Sequence, residues 1–550
     1  MSQPRARPSA LVVIPARGGS KGIPRKNLSP IAGEPLIART IRTALSVPDV
    51  TRVIVTTDDH EIAAVAARFN AHILIRPPEL AADHVTLDPV VAHAIAREEA
   101  EGRTYDIVAT LQPTSPLLRP TTLSRILQRL AHGEADTILT AVDDTHLSWE
   151  VSDGVPHPAF AERLNRQFLP PRFRETGGVI ASLRQWVTPS SRLGPRVALE
   201  VVDALEGIDI DSREDWLCAE AALRRKRIAF ITIGSEHRGI GHVMRTRNLL
   251  ESLHGHDTLV LCAPQEHLAI DRLNASFHVV EVMPRHAMLA RMVAWGAEVV
   301  VHDELRTDPE MLLAERAAGL KVVLFEDDGP GQAHANLVFN ALYPAHKSRP
   351  EAGVWYGPSV YDLRDEFRHA SRAAFRDPAS RVLITFGGSD PAGLTFRVLD
   401  AVADTCTLAI TVVAGIGLSR FDELASRVAA LRSRGLDVTL LRDVPLMSDI
   451  MREADFAFSS AGRTLYELAH MGVPTAVLHQ NETETEHTFA TIDNGFLPLG
   501  LPHAVRTEDI RAAFLGLASS AALRRQLRDR MLALDLTAGR DRVIRMILEL

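Results

Sequence analysis

Residues 11–14, Leu-Val-Val-Ile, open the chain's hydrophobic pattern with a short, β-branched run of the kind that forms a buried strand. After Pro35, the positions Leu36, Ile37, Thr40, Ile41, Ala44 and Leu45 recur at helical spacing, with the proline where a helix would start. Residues 52–57, 72–76 and 106–111 predict three more strands. Strands alternating with helical stretches predict a doubly wound α/β domain, with helices on both faces of the sheet. In such sheets the loops at the carboxyl ends of the strands hold the ligand. Here those are the loop after residue 14, Thr57-Asp58, and Gln112-Pro113-Thr114-Ser115-Pro116.

The pattern then closes and restarts. Residues 211–223 read as a helix, Arg224-Arg225-Lys226-Arg227 marks the surface, and residues 228–233 begin a new strand. A second strand-loop-helix follows, with Gly239, Gly241 and His242 in the loop and helical periodicity from Val243. Residues 299–303 form a buried strand ending in an acid, Asp303. Residues 381–386 start a further lobe and turn at Gly387-Gly388-Ser389-Asp390, and residues 454–459 lead through Ser459-Ser460-Ala461-Gly462 into another helix. Residues 507–550 look helical and are expected to complete that last lobe. A chain of 550 residues exceeds a single core, and the expected domains are 1–224, 225–375 and 376–550.

The loop at residues 15–27 carries the strongest candidate chemistry. Gly18, Gly19 and Gly22 stand among Arg17, Ser20, Lys21, Arg25, Lys26 and Asn27, so backbone N–H groups and cationic side chains can face a polyphosphate. Of 61 Lys plus Arg only five are lysines, and two of those, Lys21 and Lys26, lie here. Where arginine serves elsewhere, a compact point charge suits a phosphate. The loop is neither a G-x-x-x-x-G-K-[ST] nor a G-x-G-x-x-G motif. Farther on, Asp209 and Asp211 alternate, and on an extended strand they would point to one side and share a cation such as Mg2+.

The string Leu-Val-Val-Ile-Pro-Ala-Arg-Gly-Gly-Ser-Lys-Gly-Ile-Pro-Arg-Lys-Asn closely resembles the nucleotide-binding motif of the CMP-sialic acid synthetases, the acylneuraminate cytidylyltransferases. Residues 76–86 and 111–118 resemble the second and third blocks of that family. The resemblance implies nucleotide binding by Gly18, Gly19, Ser20, Gly22, Lys26, Asn27 and Asp58, and phosphate neutralisation by Arg17 and Lys21. It also implies sugar-acid contacts from Gln112, Arg166 and Arg174, and a metal held by Asp209 and Asp211, with Asp211 aiding catalysis. Residues 172–182 depart from the family pattern: Phe173 replaces a tyrosine, Thr176 an asparagine and Ala181 a second tyrosine. The implied reaction is attack of the anomeric hydroxyl of a 2-keto-3-deoxy sugar acid on the α-phosphorus of CTP, with pyrophosphate leaving. A homodimer formed through this domain is also implied.

The Gly-Ile-Gly-His-Val-Met-Arg stretch resembles the opening of the UDP-sugar hydrolase of pseudaminic acid biosynthesis and its relatives in spore-coat polysaccharide synthesis. The fold implied is the two-lobed GT-B type, so the whole reads as an α/β chain: a nucleotidyltransferase domain followed by a GT-B-type domain. Under this resemblance His242 is a general base and Asp303 binds substrate. Gly387, Gly388, Ser460 and Gly462 hold the nucleotide diphosphate, Glu467 the ribose, and residues 481–487 line the cleft. The helix after Gly462 would add its free N–H groups and dipole. Two rival readings of this half are a glycosyltransferase that uses the CMP-sugar and a non-catalytic nucleotide-sugar-binding module.

Composition narrows the classes further. A net charge of −8 argues against a nucleic-acid binder, and no run of eighteen apolar residues predicts a membrane span. Cys218, Cys262 and Cys406 lie far apart with no metal-site spacing, and the expected setting is the cytoplasm.

Overall fold

The computed structural model describes residues 8–19, 22–234, 241–343 and 353–550. They divide into two compact units, Met1–Arg225 and Lys226–Leu550.

The first unit is built on a seven-stranded sheet in the order Val197–Val202, Thr137–Asp143, Phe173–Leu183, Ile107–Thr110, Ala10–Pro15, Val50–Thr57, His72–Ile75. All strands are parallel except Phe173–Leu183, which runs antiparallel to both neighbours. The unbroken apolar run at residues 11–14 follows from burial on both faces. Val12 and Ile14 pack with Ile37 and Ile41 of helix Leu36–Leu45 and with Leu123 and Leu127 of helix Pro120–Ala131. Leu11 and Val13 pack on the other side with Val91 and Ile95 of helix Leu87–Ala100.

The second unit contains two wholly parallel sheets. The first runs Val280–Val282, Asp257–Cys262, Arg227–Thr232, Val299–Asp303, Lys321–Phe325, Leu337–Asn340, Gly353–Tyr356. The second runs Val438–Arg442, Ala409–Ala414, Arg381–Thr385, Phe456–Ser459, Thr475–Leu478, Phe496–Gly500. In each, the chain winds outward from its first strand, returns, and continues on the other side. The strand order therefore reverses between Arg227–Thr232 and Val299–Asp303, and again between Arg381–Thr385 and Phe456–Ser459. A crevice opens at the carboxyl ends of such strand pairs.

The carboxyl-terminal region is helical, as Thr507–Ser519, Ala521–Leu532 and Gly539–Leu548, but it does not all serve the last lobe. Ile510, Phe514 and Leu527 pack with Val382 and Ile384 of the second sheet. Val543 and Ile547 of the final helix join a cluster drawn from both sheets, with Ile228 and Phe230 of the first and Leu383 and Ala457 of the second, and that helix turns back onto Pro358–Val360. Glycine at 539 permits this return, since a Cβ there would stand 2.1 Å from the carbonyl oxygen of Tyr361. Among the described residues, no helix is long and apolar enough to cross a membrane.

Candidate functional sites

In the first unit, the loop after Ala10–Pro15 is knitted to three other strand ends. The Gly18 N–H donates to Asp58 Oδ1 at 3.3 Å, and Arg17 pairs with Asp83 at 2.7 Å. Asn27 is buried and donates to the carbonyl of Arg17 at 3.1 Å, fixing the loop from inside. Gly18 must be glycine, because a Cβ would stand 2.6 Å from Asp59 Oδ2, and Asp59 caps helix His60–Arg68. Lys26 Nζ donates to the carbonyl of Ile210 and lies 3.4 Å from Asp211 Oδ1. A Cβ on Gly22 would stand 2.7 Å from the carbonyl oxygen of Asp211, so that segment passes directly against the loop. Gly19 has open space around it. Ser20 and Lys21 lie outside the described residues.

Asp209 and Asp211 do not sit on a paired strand; residues 208–211 are extended but irregular, anchored by Ile210 N–H to the carbonyl of Thr114 at 2.8 Å. Their carboxylates meet different surroundings. Asp209 turns inward: a Cβ on Gly177 would stand 2.9 Å from its Oδ2 and 3.1 Å from Gln112 Nε2, so glycine lets Gln112 and Asp209 converge. The Asp209 Oδ1 is buried with no hydrogen bond of ordinary geometry, and burial, then the charge of Asp211, pushes this carboxyl above the usual range against the opposing effect of the Thr114 hydroxyl nearby. Asp211 faces outward, its side chain 82% exposed beside Lys26. The expected pair pointing to one side is thus one buried and one exposed carboxylate.

Arg174 is exposed on its strand, and Arg166 is exposed and lies 3.9 Å from Asp143. Of the three departures, Thr176 is buried and donates to Thr140 Oγ1 at 2.7 Å, and Ala181 is fully buried in the sheet. Both belong to the core rather than to a ligand-facing surface. Phe173 is exposed.

In the second unit, His242 and Asp303 meet at the first strand reversal. Asp303 ends its strand, and His242 opens helix Gly241–Glu251. His242 Nδ1 lies 2.6 Å from Asp303 Oδ1. Arg245, one turn along, donates its Nε to Asp303 Oδ2 at 2.8 Å and its Nη2 to Oδ1, while its Nη1 reaches Glu326 at 3.2 Å. Thr246 adds a hydroxyl to Asp303 Oδ2 at 3.4 Å. Burial alone would raise the Asp303 carboxyl; the charge of Arg245 and the hydrogen bonds from His242 and Arg245 outweigh it and hold the group below the usual carboxylate range. A carboxylate only accepts, so His242 donates from Nδ1 and keeps its Nε2 lone pair. Asp303, expected against substrate, is instead taken up in positioning His242 and Arg245. Gly239 lies outside the described residues.

At the second reversal, Gly387 adopts φ +77°, and Gly388 packs against Gly415, where a Cβ would meet its carbonyl oxygen at 2.3 Å. Asp390 caps helix Leu394–Val402 through the N–H groups of Leu394 and Thr395. Gln480 joins this loop to its neighbour: its amide contacts Asp390 Oδ1 at 3.0 Å and Phe386 O at 3.3 Å, and accepts from Ala392 N–H at 3.0 Å. Residues Ser459, Ser460, Ala461 and Gly462 lead into helix Thr464–Met471. Glu467 is buried there and accepts from Arg364 Nε at 2.7 Å, so one of its oxygens is already engaged.

A family model described as cytidylyltransferase matches residues 11–155. The CMP-N,N'-diacetyllegionaminic acid synthase of Legionella pneumophila is 30% identical over 231 residues, which is 40% of this chain and 99% of that enzyme. The chain belongs to the cytidylyltransferase family. Beyond this first unit, the spore coat polysaccharide biosynthesis protein SpsG of Bacillus subtilis is 28% identical over 311 residues, 54% of this chain and 89% of that protein. A solved structure of MurG from Acinetobacter baumannii aligns with 59% of this chain and all of its own, at 16% identity and a TM-score of 0.45. Against other curated relatives, including an uncharacterized protein of Methanocaldococcus jannaschii and a zebrafish N-acylneuraminate cytidylyltransferase, the chain spans about half the length, 57% and 51%.

Within the cytidylyltransferase unit, the residues suit a hard cation. Asp209 offers a buried oxygen with no hydrogen bond of ordinary geometry, and Asp211 offers an exposed one. Among the described residues no group of three or more His, Cys, Asp or Glu could hold a metal. Sequence reasoning gave no role to Arg76, which is buried and 3.4 Å from Asp58, nor to Gly177. Nor did it assign roles to Arg245, Glu326 or Gln480, and Glu484 was covered only by the expectation that residues 481–487 line the cleft. Arg245 stood in the quoted Gly-Ile-Gly-His-Val-Met-Arg motif, whereas Glu326 carried no local signal.

Proposed function

We propose that the cytidylyltransferase unit transfers CMP from CTP to a nonulosonic sugar acid, and that the second unit cleaves a UDP-sugar with His242 as general base. For the first unit, support comes from Gly22 and Lys26 of the loop lying against Ile210 and Asp211, with Gln112 beside Asp209. Relatives named for sialic, pseudaminic and legionaminic acids point to the substrate class. In this reading Arg17 and Lys21 neutralise phosphate charge, the glycine N–H groups hold phosphate oxygens, and Gln112 orients the sugar acid. Asp209 and Asp211 would hold Mg2+, which supplies charge neutralisation at the phosphates when bound. The anomeric hydroxyl oxygen forms a bond to the α-phosphorus, the bond to the pyrophosphate oxygen breaks, and pyrophosphate departs.

The antiparallel arm Trp149–Ser152 and Val155–Pro158 exposes Trp149, Val151 and Val155, which supports dimerisation through this unit. For the second unit, the observation that carries the reading is the His242–Asp303 contact at a strand reversal. It leaves Nε2 able to take a proton from water attacking the sugar anomeric carbon as UDP leaves.

The test uses the full chain. With CTP, Mg2+ and a panel of 2-keto-3-deoxy sugar acids, pyrophosphate release is expected with at least one acid, and silence across the panel overturns the first assignment. With UDP-sugar and no acceptor, UDP release is expected. Release only when an acceptor is added would make the second unit a glycosyltransferase.

A further inference from the structure

The loop that follows strand Thr475–Leu478 places an acid where a ligand's phosphate would go. Glu484 Oε2 accepts from the N–H of Ala461 at 3.2 Å and from the N–H of Gln480 at 2.8 Å. The Ala461 donor lies at the second strand reversal, on the turn that leads into helix Thr464–Met471, and the Gln480 donor follows strand Thr475–Leu478. The hydroxyl of Ser460 lies near this carboxyl and favours its charged form, and Ser459, fully buried at the head of the same turn, has a hydroxyl with no partner. One side-chain oxygen therefore bridges two backbone donors from separate loops, as a phosphate oxygen does.

We propose that Glu484 is an internal competitor for this phosphate seat, and that a nucleoside diphosphate binds by displacing its carboxylate from Ala461 and Gln480. The inference rests on the reading of the second unit as a nucleotide-sugar enzyme. The loop does not depend on the carboxylate for its shape. Asn481 Oδ1 accepts from the Glu484 N–H at 3.1 Å, the Glu484 carbonyl lies 2.9 Å from His479 Nδ1, and His487 Nδ1 lies 2.6 Å from the carbonyl of Ala461. The side chain can swing out while these backbone anchors stay. Nor is the seat a restful one for a carboxylate. Burial pushes the Glu484 carboxyl above the usual range, and the nearby charge of Asp390 adds to the shift, against the hydrogen bonds that lower it. A diphosphate brings more charge and more acceptor oxygens than one carboxylate, and so outcompetes it.

The experiment is calorimetric titration of UDP into the full chain, with saturating CTP present to fill the cytidylyltransferase site. Glu484→Ala should bind UDP about tenfold more tightly than the unaltered chain, the scale of one charged hydrogen-bonded contact no longer displaced. Glu484→Gln, equal in size and uncharged, should fall between them and guards against a misfolded alanine variant. Equal or weaker UDP binding by both variants overturns the competitor role while leaving the nucleotide reading intact. No UDP binding by the unaltered chain or either variant overturns both.

Discussion

Asp303 Oδ1 stands 2.6 Å from Nδ1 of His242, inside a buried cluster that also ties Arg245 to Glu326. The carboxylate fixes which imidazole nitrogen carries the proton and which is left to accept one.

Asp303→Asn should therefore disable the second unit without emptying it. An amide retains the size of the carboxylate but can donate to Nδ1, which moves the proton to Nε2 and removes the base. UDP release from UDP-sugar should fall by roughly 10²–10⁴-fold in kcat, the scale seen when an orienting carboxylate is lost, with KM little changed. A loss confined to KM would place Asp303 against substrate instead.

His242→Asn separates catalysis from helix capping. His242 is the second residue of its helix and its ring faces Asp303, not a backbone N–H of the first turn. Asparagine, a good cap, should thus fail to rescue. UDP release should be lost by about 100-fold or more while CMP-sugar forms at the normal rate. Persistent cleavage would move the base elsewhere.

The two acids of the first unit should not be equivalent. Asp209 has a buried oxygen with no hydrogen bond of ordinary geometry, whereas Asp211 is exposed beside Lys26. Asp209→Asn should raise the Mg2+ concentration needed for half-maximal CMP transfer far more than Asp211→Asn, by about tenfold or more against a few-fold. Equal shifts would mean that both acids hold the ion alike, and no shift in either that the triphosphate alone holds it.

A buried histidine that precedes Asp303 but faces Glu304 and Glu315 should give the second unit an alkaline weakness. His302 is fully buried, with Nε2 2.9 Å from Glu315 and Nδ1 3.1 Å from Glu304, which also pairs with Arg285. Burial alone would lower its pKa, but the charge of Glu315 and the hydrogen bonds to both acids raise it from 6.5 to about 9. A folded pKa above the unfolded one stabilises fully below pH ~6.5 and is lost as pH rises through ~9, a contribution on the order of 3 kcal/mol at most. Thermal melting of the second unit should fall between pH 7 and 9.5, and His302→Gln should flatten that decline. Parallel declines in both proteins would remove the imidazolium from the account.

Much of the fold was legible along the chain because a strand buried on both faces must be apolar at every position. Residues 11–14 and 299–301 could hardly be anything else, and the glycines and cations of residues 17–27 were read as a phosphate loop once their full string matched a family motif. The order of motifs carried the family. What the sequence by itself left open were partners far apart along it. Asp209 and Asp211 are two residues apart, yet one is buried against Gly177 and the other exposed beside Lys26, because residues 208–211 pass over the loop as irregular chain rather than as a strand. Arg245 and Glu326 meet only because helix Gly241–Glu251 follows strand Arg227–Thr232, which lies one strand away from Lys321–Phe325 in the same sheet, and Glu484 reaches Ala461 only because Phe456–Ser459 pairs with Thr475–Leu478. Periodicity reports which face of an element is buried. Strand order, set by collective burial of all the faces at once, decides which polar groups find one another in the crevices.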